Sequence, residues 1–175
     1  CATIACTNQQ PADDDGHSLW FKTLGTGVVQ NVDKSDTANA SINIAKAELA
    51  QYGKSADQVE LNVLDNQDSS LGTQGYKIDA SNPSKVKIYA NSQIGLLYGS
   101  YAYMRQDKTG QLANSVVTES PSYNDRILDH WDNPNGTVER GYAGSSLWKW
   151  EELPSTTRPE YEEYARANAA VGING

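Results

Sequence analysis

The sequence predicts two structural pieces in succession: an α+β domain, in which helices pack on a sheet, and then the opening of a (β/α)8 barrel. Three observations carry this reading. Strand and helix patterns alternate as strand, helix, several strands, helix up to about residue 110. A polar connector bearing Pro121 follows. Beyond it, residues 126–150 (RILDHWDNPNGTVERGYAGSSLWKW) gather three of the four Trp and one of the two His, and TVERGYAGSSLWKW within them is too polar and Gly-rich for a strand and too aromatic for a linker. With 175 residues, the chain has room for one domain and part of another, so the barrel is expected to be truncated.

Composition excludes several classes of function. A net charge of −8 lacks the basic footprint that binding to phosphate backbones requires. No run of about 18 apolar residues is present to span a membrane. Only 38% of residues are hydrophobic and mean hydropathy is −0.64, yet ten Tyr and four Trp stand against one Phe, so the aromatics carry polar handles suited to half-wet sites. Both cysteines, Cys1 and Cys6, lie in the first six residues, which rules out a zinc site on ligand count. No phosphate loop or Ser, His, Asp set is present, and no cofactor is expected.

Residues 1–17 divide into a leader and a tether. TIAC followed by TNQQPADDDG resembles the end of a bacterial lipoprotein signal with Cys6 as the lipidated residue, which would make the protein exported, periplasmic or membrane-anchored; a frayed terminus is the alternative. Polar residues 7–17 have nothing to bury.

The α+β domain is placed at residues 18–120. SLWFKTL brings Leu19, Trp20, Phe21 and Leu24 together, and GVVQNV (27–32) has strand composition. Ser35 or Asp36 offers an N-cap for a helix whose stripe is Ala38, Ile42, Ala45, Leu49 and Tyr52, with Gly53 as its stop. VELNVL (59–64) alternates as a strand with one buried face, and GYKIDA (75–80) and KVKIYA (85–90) are two further strands joined by a turn at Pro83. A second helix, from about Ser92 to Asp107, has Ile94, Leu97, Tyr101 and Met104 on one face, with Gly95, Gly99 and Ala102 allowing close approach on another. After Gly110 the chain reads as connector, through QLANSVVTESPSYNDR.

Residues 121–175 are read as the first βα unit of the barrel and the start of its second strand. RILDHW is expected to be a buried strand that delivers polar side chains at its C-terminal end, as barrel strands do at an active site. NPNG is a turn, TVERGYAGSSLWKW a long functional loop, and a helix begins at Pro159 with Glu160, Glu162 and Glu163 near its positive end. Tyr161, Tyr164, Ala165 and Asn168 fall along one side of that helix, and AAVGING begins an extended segment.

HWDNPNGTVERGYAGSSLWKW and YARANAAVGING closely resemble the start of the catalytic barrel of family 67 glycoside hydrolases, the α-glucuronidases of xylan breakdown. The preceding domain, including SQIGLLYGSYAYMRQ, resembles that family's N-terminal domain, which is similar to the one preceding the barrel in β-hexosaminidases. The resemblance implies hydrolysis, with inversion, of 4-O-methylglucuronic acid from xylooligosaccharides, a polysaccharide-degrading activity. It also implies catalytic acids on later strands, beyond residue 175, so this portion alone is expected to be inactive and to contribute an accessory domain and part of the substrate pocket. A glycan-binding surface lipoprotein without catalysis is the alternative, and a different barrel hydrolase a third reading.

Substrate-binding candidates follow. Trp131 can stack on the apolar face of a sugar, or it is an ordinary barrel-mouth aromatic. Glu139 and Arg140 can hold sugar hydroxyls or a carboxylate, or they pair with each other and brace the loop. His130, Asp132 and Asn133 are expected to orient those residues, and Trp148 and Trp150 to pack.

Overall fold

The computed structural model describes residues 40–112 and 114–175. The leader and tether, Cys6, the apolar opening from Ser18, the 27–32 strand and the Ser35 or Asp36 cap lie outside those residues. The element order is α1 (Ala40–Gln51), β1 (Val59–Val63), β2 (Tyr76–Asp79), β3 (Val86–Ala90), α2 (Gln93–Lys108), β4 (Val116–Glu119) and α3 (Pro159–Ala170).

Helix α2 is the central element. Ser92 begins it in an extended conformation, its hydroxyl oxygen accepting from the Gly95 N–H at 3.2 Å. The same hydroxyl donates to the Thr73 carbonyl, which fixes the helix start to the loop before β2. Residues 95–104 are all buried, because α2 touches the sheet, α1 and α3. The expected close approach is present. A Cβ on Gly99 would stand 2.7 Å from Ile88 Cγ2, and one on Gly95 would stand 2.5 Å from the Gly75 carbonyl oxygen. Ile78 and Ile88, directly paired across β2 and β3 and fully buried, each contribute about 1.5–3 kcal/mol of burial against this helix.

The sheet order is β1-β3-β2-β4, with β1 and β3 parallel and the other pairs antiparallel. Of the expected buried face of β1, Val59 is buried and Leu61 half-buried, while Val63 at the strand end is 45% exposed. The helical stripe of α1 holds: Ala45 and Leu49 are buried, and Ile42 and Tyr52 pack on the core. Gly53 at φ +86 ends the helix while the Lys54 N–H reaches back to the Leu49 carbonyl at 2.9 Å.

Two expectations are corrected. The connector contains strand β4, which pairs along β2 from Tyr76↔Glu119 to Asp79↔Val116. It is held by backbone pairing at the sheet edge and buries little, Val116 being 49% exposed, so no apolar alternation advertises it. RILDHW is not a buried strand: Ile127 is 67% and Leu128 40% exposed, and the segment is irregular. Its backbone makes only two bonds of the kind expected, Asn174 N–H to the Arg126 carbonyl and Leu128 N–H to the Gly175 carbonyl, both 2.9 Å and in the parallel sense. A barrel strand is buried by neighbours on both edges and a helix outside; among the described residues one edge partner is present. Helix α3 buries Tyr161, Arg166, Ala167 and Ala170, while Ala165 is exposed. A buried cation decides that face. Arg166 Nε donates to Glu48 Oε1 of α1 at 2.8 Å, both side chains being under 9% exposed.

Arg126 joins the later segment to the sheet domain. Its guanidinium donates to the carbonyls of Tyr123 and Gly172 and to Gln74 Oε1, and lies over the Tyr98 ring with its carbon 5.5 Å from the centroid. Arg105 of α2 donates to the Ala170 carbonyl at the end of α3. No helix among the described residues is long and apolar enough to cross a membrane.

Candidate functional site

The sequence NPNG turns the chain back on itself. The Gly136 N–H donates to the Asn133 carbonyl at 2.9 Å with Gly136 at φ +83, and Asn135 Oδ1 accepts from the Thr137 N–H and hydroxyl. Single antiparallel bridges, Asp132↔Val138 and Thr137↔Ser145, then fold the loop into two small returns. Asn133 is the internal tie, its Nδ2 donating to Thr137 Oγ1 at 2.9 Å and to the Glu139 carbonyl at 2.6 Å.

Trp131 stands 60% exposed at the head of this loop. Its indole N–H donates to Asp129 Oδ2 at 2.8 Å, and its carbonyl accepts from the Glu139 N–H at 2.7 Å. Glu139 has a left-handed backbone, φ 55, the sole non-glycine of that kind among the described residues. Its Oε1 accepts from the Tyr142 hydroxyl at 2.6 Å, and that bond to an anion pushes the Tyr142 phenol upward from its usual pKa. The alternative reading, a brace between Glu139 and Arg140, is absent; Arg140 is exposed and has no ion-pair partner among the described residues.

His130 and Asp132 belong to a second group, behind the loop. His130 Nε2 lies 2.7 Å from the Tyr164 hydroxyl and Nδ1 lies 3.4 Å from Asp132 Oδ1. A neutral imidazole protonated on Nδ1 satisfies both contacts. The ring packs edge-on against Trp148 and Tyr164, centroids 5.7 and 5.5 Å away, and Trp148 leans on Tyr161 at 4.9 Å. Tyr161 of α3 also accepts the Lys149 N–H on its hydroxyl at 2.7 Å. Trp148 therefore packs as expected, whereas Trp150 is 41% exposed.

The fold thus brings Trp131, Asn133 and Glu139 together and sets His130 and Asp132 beside α3. Sequence reasoning gave no role to Asp129, Tyr142 or Tyr164. Asp129 was signalled by its place two residues before Trp131, and Tyr164 by its i, i+3 spacing from Tyr161; Tyr142 had no signal beyond its loop. A concavity of about 610 Å³ opens between α2 and α3, lined by Ile94, Leu97, Leu128, His130, Tyr164 and Ile173 among others. Trp131, Glu139 and Arg140 do not line it, so this hollow is not at the loop that carries the polar chemistry. Among the described residues no group of three or more His, Cys, Asp or Glu is placed to hold a metal ion.

Comparison with known proteins bears on this same region. Residues 105–175 match the glycosyl hydrolase family 67 middle domain. The chain is 31% identical over 105 residues to alpha-glucuronidase A of Emericella nidulans, covering 57% of this chain and 12% of that protein. It is 29% identical over 136 residues to alpha-glucuronidase A of Aspergillus tubingensis, covering 78% and 15%. To the probable alpha-glucuronidase A of Aspergillus terreus it is 29% identical over 153 residues, covering 86% and 17%. The chain therefore spans less than a fifth of the length of these relatives.

Proposed function

We propose that the chain, whose residues 105–175 match the glycosyl hydrolase family 67 middle domain, is a member of that family and the N-terminal portion of an α-glucuronidase acting on glucuronic-acid-bearing xylooligosaccharides. The observation that carries the proposal is the coincidence of that match with the loop of exposed, hydrogen-bond-anchored side chains at 129–142. The sheet domain, ending near residue 120, is the accessory part. Residues 121–175 are the first βα unit and the start of the second strand of a barrel; the two parallel-sense bonds between 126–128 and 174–175 support that arrangement.

In this reading the loop binds and the rest of the barrel reacts. Asp129 ties down the indole N–H of Trp131, leaving the ring face for the apolar side of a sugar. Glu139 accepts from sugar hydroxyls, and the unpaired guanidinium of Arg140 is suited to a carboxylate, which it can grip with two parallel N–H donors. His130, held between Asp132 and Tyr164, fixes the backbone that leads into Trp131. Hydrolysis with inversion needs a general acid and a general base roughly 6.5–9.5 Å apart with water between them. Those carboxyl groups are proposed to come from later strands.

The test is direct. The complete enzyme should release 4-O-methylglucuronic acid from aldouronic acids, with proton NMR showing the β-anomer first, while residues 1–175 alone should release none. Hydrolysis by the 175-residue chain, or retention by the complete enzyme, would refute the reading.

A further inference from the structure

Glu139 is constrained more than a surface glutamate needs to be, and we propose that Tyr142 is a positioning residue that aims its carboxylate at the substrate. The inference rests on the sugar-pocket reading of the loop. Three independent bonds fix Glu139. Its N–H donates to the Trp131 carbonyl, its carbonyl accepts from Asn133 Nδ2, and its Oε1 accepts from the Tyr142 hydroxyl. It also holds φ at 55, a conformation that glycine adopts without cost and that the same loop gives to glycine at Gly141 and Gly144. An L-residue with a charged side chain kept at such a position is where strain and function coincide. A structural turn would be served as well by glycine or asparagine.

The geometry states what Tyr142 does. Its hydroxyl occupies one carboxylate oxygen, and Oε2 has no hydrogen-bond partner among the described residues. That oxygen remains to accept from a sugar hydroxyl. The Tyr142 ring is itself 71% exposed, so the phenol is kept in place by this bond rather than by packing. Without the hydroxyl, the carboxylate is free to turn among its rotamers, and binding must immobilise it. A contact made equally in the ground and transition states appears in KM, not in kcat.

The experiment uses the complete enzyme with an aldouronic acid as substrate, comparing the parent with Tyr142→Phe, Glu139→Gln and the double variant. Tyr142→Phe should raise KM by up to about tenfold, the cost of immobilising one rotamer-rich side chain on binding, with kcat within about twofold. The melting temperature should not change. The double variant should be no worse than Glu139→Gln alone, because the hydroxyl acts only through that carboxylate. The inference is overturned if Tyr142→Phe leaves KM at the parent value, if the two losses multiply, or if its effect is matched by a fall in melting temperature. A parent enzyme that hydrolyses no glucuronide overturns instead the function on which the inference stands, so the two failures are distinguishable.

Discussion

Trp131 keeps its indole N–H bonded to Asp129 and its ring in solvent, so the face is the part of the side chain still available for work. In the complete enzyme proposed above, replacing it with alanine should raise KM for an aldouronic acid roughly thirtyfold, corresponding to about 2 kcal/mol of lost aromatic contact. Phenylalanine should recover part of this. The melting temperature should hardly move, since a ring 60% exposed contributes little to the fold. Trp131 was singled out in the sequence as the indole at the end of RILDHW, and the structure leaves its ring exposed. The partner of Glu139 was not legible there. Adjacent Glu139 and Arg140 suggest an ion pair, but a left-handed φ at Glu139 redirects the side chain, and Tyr142 three residues on becomes its neighbour. No composition rule reports a backbone angle.

At the scale of elements, α2 depends on its two glycines. Alanine at Gly99 would press on Ile88 and Tyr76, cancelling a gain in helix propensity of about 1 kcal/mol and leaving a net loss of about 1–2 kcal/mol. Alanine at Gly95 would meet the Gly75 carbonyl oxygen, which cannot rotate away as a side chain can, and should cost more, about 3 kcal/mol. Urea unfolding of the two variants checks that order; equal or stabilising effects would contradict the packing described. The helix was legible because small and large residues segregate at its period. Strand β4 was not, since pairing at an edge uses backbone atoms that every residue owns. The buried face of α3 was hidden for the opposite reason: Arg166 reads as a solvent residue until Glu48, far away in the chain, is placed beside it.

At the scale of the whole molecule, that pair fastens α3 to α1. Removing one partner, as in Arg166→Ala, should cost about 3–5 kcal/mol by leaving the buried Glu48 carboxylate without its cation. Burial raises the Glu48 pKa above 4.5, and Arg166 only partly lowers it again. The folded chain therefore holds this proton more tightly than the unfolded chain. The stabilisation from this group is full below about pH 4.5 and is lost as pH rises through the raised folded value. Urea midpoints of the parent, taken relative to Glu48→Gln, should fall over that window, and a difference that rises with pH would show the shift to have the other sign. The same pair also sets an order of assembly. Glu48 and Arg166 are 118 residues apart, so closing that contact encloses most of the described chain. A ribosome adding about 5–20 residues per second delivers Arg166 roughly 6–24 s after Glu48. Throughout that interval α1 carries a carboxylate whose buried partner has not been made, and its last docking step must wait for translation of the segment that holds the 129–142 loop.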